Sequence, residues 1–206
     1  SPRKMKVAMC LVFSFAIFIG FYLAYIGGWP IVFIGLASIF SGIAYTGGPY
    51  PLGYNGFGDI FVFLFFGIIA VSGTYYLQIG YITNISILMG IIMGMLSTAI
   101  LVVNNLRDVE SDKLAGKNTL VVRFGKNFTK IQYSLLVTVP YLIPIYIWLK
   151  YDNEMSLLLT IFLIPISVNL IYGIYTLTGK SLNKSLVQTA RFLFIFTIVL
   201  SVGLLI

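Results

Sequence analysis

The chain has 206 residues, 59% of them apolar and 9% charged; soluble domains run at about 45–50% apolar and about 25% charged, so the solvent of this chain is lipid. The absence of histidine and the single cysteine, Cys10, exclude a Ser-His-Asp triad, a histidine metal site and a disulfide within one chain. A net charge of +7 follows here from membrane topology, and no nucleic-acid partner is expected.

Taken in chain order at about 20 residues per crossing, the apolar runs predict seven transmembrane helices, over residues 6–27, 29–46, 58–79, 83–106, 129–150, 155–177 and 184–206. The breaks fall where turn-forming or charged residues gather: Gly27-Gly28-Trp29-Pro30, the Gly- and Pro-rich stretch 47–58, Gly80-Tyr81, the charged stretch 107–128, and residues 150–154 and 179–184. The start, Ser1-Pro2-Arg3-Lys4, is basic and runs into a long apolar stretch with no polar cleavage region, which is not the pattern of a signal peptide. No linker or low-complexity tract divides the chain. Residues 1–206 are therefore read as one all-α, multi-pass transmembrane bundle, in which pairs such as Gly90-x-x-x-Gly94 serve close helix packing.

The count has an internal check. Seven crossings put all but Lys150 of the 13 Lys and Arg on the face that carries the N-terminus. The positive-inside rule makes that face cytoplasmic, puts the C-terminus outside, and predicts a multi-pass protein of the cell membrane.

One segment concentrates chemistry. In Asn104-Asn105-Leu106-Arg107-Asp108-Val109-Glu110-Ser111-Asp112-Lys113, three of the six acidic residues of the chain fall within five positions, at the expected cytoplasmic end of the fourth helix. If that helix continues, Asp108 and Asp112 are four residues apart on one face, with Asn104 a turn earlier, while Glu110 points elsewhere. Two carboxylates and an amide are hard oxygen ligands suited to Mg²⁺ shared with a substrate phosphate. Lys113, Lys117 and Arg123 supply the opposite charge for a diphosphate. Read blandly, the same residues are a solvated loop obeying the positive-inside rule.

The second unusual stretch runs from Tyr45-Thr46-Gly47-Gly48-Pro49 to Gly58-Asp59 and is expected on the same face. Its glycines and prolines fix turns, and its tyrosines line either a pocket rim or the membrane interface. Asp59 is either a helix N-terminal charge or a group facing the same cavity as Asp108.

Together these segments resemble the UbiA superfamily of membrane prenyltransferases, and within it the dihydroxynaphthoate polyprenyltransferases of menaquinone synthesis. Asn104-Asn105-x-Arg107-Asp108-x-x-x-Asp112, continued by Gly116-Lys117-x-Thr119-Leu120 and Arg123-x-Gly125, looks like the family's second aspartate-rich motif. The Tyr45–Pro49 loop with Gly58-Asp59 looks like that branch's. The resemblance implies transfer of a polyprenyl group from polyprenyl diphosphate to 1,4-dihydroxy-2-naphthoate with loss of the carboxylate, on the way to demethylmenaquinone, with Mg²⁺ as cofactor. It implies Mg²⁺ on Asp108 and Asp112, with Asn104 and Asn105 positioning metal or diphosphate. Arg107, Lys117 and Arg123 become diphosphate contacts. Tyr45 and Asp59 fall on the acceptor side, the Tyr45 ring stabilising an allylic cation.

The family is expected to have nine helices and a first aspartate-rich motif near the end of its second. Neither that motif nor those two helices is in this sequence, and the chain is read as an N-terminally truncated prenyltransferase domain. Two other readings stand beside the enzyme: an inactive fragment of one, and a transporter with a cytoplasmic ion site. Spans nearly bare of charge speak against the transporter.

Overall fold

In lipid, apolar runs of this length satisfy their main-chain N–H and C=O groups by forming helices. The computed structural model describes residues 1–151 and 155–206, and in it six helices are long and apolar enough to cross a membrane. They are α1 (Pro2–Thr46), α2 (Gly58–Ile79), α3 (Asn84–Leu114), α4 (Leu120–Tyr151), α5 (Met155–Thr176) and α6 (Gly179–Leu205).

α1 supplies two of the expected seven crossings. Gly28, at φ 64° and ψ −155°, is its one residue outside helical geometry and is followed by Pro30; a positive φ costs glycine nothing, and the proline cannot continue the preceding hydrogen-bond ladder. The chain reverses there. A methyl group built on Gly42 would lie 3.7 Å from the Phe13 ring, although 29 residues of straight helix would separate them by about 43 Å. The bend end of this hairpin sits by the far end of α2, where the Tyr76 hydroxyl donates to the Gly27 carbonyl at 3.1 Å.

α2 and α3 pack backbone to backbone. Gly67 sits against Gly94 and the Gly90 carbonyl, and Gly94 in turn lies against the Phe63 carbonyl, so the Gly90-x-x-x-Gly94 pair is a contact surface as expected. At this contact α2 is wound as a π-helix over Leu64–Ile69, the kind of local widening that recurs at functional sites.

α3 is the central rod. Ile92, Leu96, Ala99 and Val103, spaced as one helical stripe, are wholly buried. Against α3 pack α2, α4 and α6, and buried interhelical hydrogen bonds tie the far side together: Tyr133 to Thr189 at 2.7 Å and Tyr141 to Ser167 at 2.5 Å. Such bonds hold helices in lipid, where the hydrophobic effect does not.

Three boundaries differ from the sequence reading by five residues or more. α3 runs eight residues past the expected end at 106, carrying Asp108 and Asp112 on continuous helix. α4 begins at Leu120 within the stretch read as charged loop, and breaks at Gly125 (φ 84°, ψ 170°) before crossing. α6 begins at Gly179 instead of residue 184. The turn read at 150–154 lies partly outside the described residues, since Asp152, Asn153 and Glu154 are among those not described.

Candidate functional site

The two segments singled out in the sequence meet at the end of the bundle that carries the N-terminus. The tie between them is main chain: the Asn118 N–H donates to the Tyr54 carbonyl at 2.6 Å. Arg123 adds to it, donating to the Asn55 carbonyl at 2.8 Å across the loop made by Gly56. Lys117 lies over the Tyr54 ring, 5.0 Å from its centre, a cation–π contact.

Because α3 continues as helix, Asp108 and Asp112 share a face with Asn105 and Leu101. That face looks toward the start of α2, since Leu101 packs at Gly58. Asp112 is 6% exposed and accepts from Lys117 Nζ at 2.8 Å. Asp108 is held by Arg107, whose Nε and Nη2 donate to its two oxygens at 2.8 and 2.5 Å. Arg107 also donates to Asn104 Oδ1 at 2.7 Å and to Asn183 on α6 at 2.8 Å. Each carboxylate thus has its own cation. The hydrogen bond that Lys117 donates to Asp112, together with the charge of that carboxylate, raises Lys117 above the ordinary lysine range, so it is charged at neutral pH.

Tyr45 and Asp59 belong to the same end. The Tyr45 ring covers Gly53, and a side chain on Gly58 would meet the Tyr45 hydroxyl at 2.9 Å, next to Asp59. Tyr54, under Lys117, is the neighbour of the Gly53 that Tyr45 covers, which links the loop after α3 to the start of α2. Behind Tyr45 an apolar groove of about 580 Å³ runs between the second arm of α1 and α2, lined by Ser38, Gly42, Phe61, Phe65 and Phe66. Tyr45 and Phe61 meet edge to face at its mouth.

Of the residues singled out in the sequence, Asp108, Asp112, Lys117, Tyr45 and Asp59 converge. Asn104 and Arg107 turn toward α6, Arg123 is committed to the loop backbone, and Asn105 is half-buried on the inward face. Sequence reasoning missed Gln132 on α4, which donates to Asp59 Oδ2 at 2.6 Å. Its polarity within an apolar helix was the available signal, but nothing in the sequence ties it to a residue 73 positions away.

Among the described residues no three of His, Cys, Asp and Glu come close enough to hold a metal by themselves. The protein's share of any metal site is two carboxylates a turn apart, a donor set that fits an ion completing its shell with phosphate and water.

Comparison with known proteins gives this arrangement a context. The model of the UbiA prenyltransferase family matches residues 1–198. The chain is 47% identical over 106 residues to the 1,4-dihydroxy-2-naphthoate octaprenyltransferase of Haemophilus influenzae, over 52% of this chain and 34% of that protein. With the protein of the same name from Mycobacterium tuberculosis it shares 37% identity over 68% of this chain and 48% of the relative. With that of Bacillus subtilis it shares 29% over its whole length and 66% of the relative. The chain therefore spans between about a third and two thirds of the relatives' own length.

Proposed function

The chain belongs to the UbiA prenyltransferase family, and from that premise we propose that it transfers a polyprenyl group from polyprenyl diphosphate to 1,4-dihydroxy-2-naphthoate in menaquinone synthesis. The observation that carries the reading is the convergence of a carboxylate-and-lysine cluster with the mouth of an apolar groove. One end suits a diphosphate and the other an isoprenoid tail. Relatives named 1,4-dihydroxy-2-naphthoate octaprenyltransferase support the acceptor.

In this reading the allylic C–O bond breaks, diphosphate leaves, and the cation left behind is attacked by the ring carbon that bears the carboxylate, which departs as carbon dioxide. Asp108 and Asp112 would hold Mg²⁺, with Asn105 facing the same side. When bound, Mg²⁺ neutralises charge on the departing diphosphate. Lys117 contacts that diphosphate from the loop, and Arg107, turned toward α6, acts by holding Asp108 with two hydrogen bonds. The rings of Tyr45 and Phe61 face the cation, and the groove keeps water from it. The face bearing these groups is cytoplasmic, in keeping with the distribution of Lys and Arg, and the protein sits in the cell membrane.

The test is prenyl transfer by membranes carrying the full chain, supplied with Mg²⁺, labelled polyprenyl diphosphate and dihydroxynaphthoate. Prenylated naphthol product and release of carbon dioxide are expected, both abolished by chelation. Failure to form product from any aromatic acceptor would remove the assignment. In the same assay Lys117→Gln is expected to raise the KM for polyprenyl diphosphate about tenfold, the scale of one lost charge-assisted hydrogen bond. The KM for the acceptor stays within about twofold in that variant. A diphosphate KM that does not move would place Lys117 outside the site.

A further inference from the structure

The Arg107 guanidinium spends four N–H donors on three residues. Two go to Asp108, from Nε at 2.8 Å and from Nη2 at 2.5 Å, and Nη2 also donates to Asn104 Oδ1 at 2.7 Å. The fourth leaves α3 altogether: Nη1 donates at 2.8 Å to Asn183 Oδ1 on α6, 76 positions along the chain. Among the described residues, Asn183 is the one acceptor for this group that does not ride on α3 itself.

Arginine is flexible along its stem and rigid only in its planar fork. Asn104 and Asp108 move with the helix that carries Arg107, so they fix the fork relative to α3 and to nothing else, whereas Asn183 fixes it from outside. The place of Asn183 is itself secured. Its neighbours Leu182 and Ser185 are each 1% exposed, and α6 packs along α3, so the main chain at 183 is held although that side chain lies at the surface. What the fork does to Asp108 follows from lone pairs. An ionised carboxylate offers about four acceptor sites; the two bonds from Arg107 take two of them and leave the rest for an ion. Groups that hydrogen-bond to a ligating carboxylate set its orientation, and their loss costs about 10–100-fold in metal affinity or activity.

We infer that Asn183 is a positioning residue of the metal site: it anchors Arg107 from α6, and Arg107 in turn holds Asp108 in the orientation that receives Mg²⁺. The inference rests on Asp108 binding Mg²⁺, as proposed above, and adds the link by which α6 shapes a site built on α3.

The experiment is a mutant cycle read by metal binding. Asn183→Leu removes the acceptor, Asn183→Asp keeps it, and each is made in the wild-type chain and beside Arg107→Leu. Mn²⁺ is titrated to the purified full chain in lipid nanodiscs with inorganic diphosphate present. Bound Mn²⁺ is read by electron paramagnetic resonance, and prenyl transfer is measured in the same preparations. Arg107→Leu is expected to weaken Mn²⁺ binding about 10–100-fold, and Asn183→Leu about fivefold, a part of that effect. Asn183→Asp stays within about twofold of wild type. Beside Arg107→Leu, neither change at 183 moves the affinity by more than about twofold, because the group through which it acts is gone.

Unchanged Mn²⁺ affinity in Asn183→Leu overturns the inference. So does an effect of either change that persists in full beside Arg107→Leu, which would be bulk charge or general loosening, and so does failure of Asn183→Asp to restore binding. Prenyl transfer with an affinity indifferent to residue 183 removes this inference and leaves the prenyltransferase reading. An affinity linked to Asn183 without prenyl transfer does the reverse. Absence of Mn²⁺ binding by the wild-type chain removes the metal assignment and this inference together.

Discussion

Replacing Asp112 by asparagine is expected to cut prenyl transfer by about 10²–10³-fold at saturating substrate and Mg²⁺, the scale on which loss of one preorganised charge contact to a departing group is felt. The shape of the side chain is kept, so α3 stays intact, and what is lost is charge. Asp112 is 6% exposed, and its Oδ1 is bonded to Lys117. The variant loses a proposed Mg²⁺ ligand and also leaves Lys117 without the partner that sets its direction. Lys117 carries a pKa raised above its ordinary value chiefly by that bond. A raised lysine contributes stability that is fully present below its unfolded pKa and is lost as pH rises through the folded one. The lysine's contribution therefore holds at neutral pH and is lost in strongly alkaline solution, and Asp112→Asn removes that alkaline phase from the unfolding profile. Glu110→Gln is the control: that side chain is 72% exposed, paired among the described residues only with Lys126, and its loss should leave turnover within about twofold. Equal damage from both variants would mean that the segment acts through bulk charge alone.

Gly67→Val is expected to leave less than about a tenth of the protein folded, a loss larger than that of an ordinary core substitution. A Cβ at Gly67 would collide with Gly94 Cα and fall 2.5 Å from the Gly90 carbonyl oxygen. Side chains relax by changing rotamer, but here the obstructing atoms are backbone of α3, so the two helices must part. Overpacking that moves only side chains costs about 1–3 kcal/mol, and forcing helices apart exceeds it. The measurement is the monodisperse fraction surviving a heat step in mild detergent. Gly35→Val in α1 serves as the control, because a Cβ there meets nothing within 4 Å. Wild-type recovery of the Gly67 variant would show that the α2–α3 contact is looser than its geometry requires.

The membrane crossings were legible because hydropathy and Gly/Pro punctuation report the same boundaries, and Gly27-Gly28-Trp29-Pro30 marks the hairpin bend in plain view. Hydropathy ends where lipid ends, whereas the helical hydrogen-bond ladder does not. That is why the apolar run predicts a stop at 106 although α3 continues to Leu114. Spacing alone then put Asp108 and Asp112 on one face once continuity was granted. The partners of those carboxylates were less accessible. Arg107 is adjacent to Asp108 in sequence, yet its reach to Asn183 depends on where α6 packs. Gln132 meets Asp59 only because α4 lies beside the start of α2, and no periodicity in either segment encodes that meeting.

The bond between the Asn118 N–H and the Tyr54 carbonyl has a consequence for how such a protein can diverge. A tie made by main-chain atoms is blind to side-chain identity: drift at Tyr54 or Asn118 repaints the surface of both loops without loosening them from each other. Only proline at 118, which lacks the donor, or a gain or loss of residues in either loop would cut it. Lineages descending from this scaffold are therefore free to change what the mouth of the groove recognises while the loop lengths, and with them the register between the two halves of the site, stay fixed.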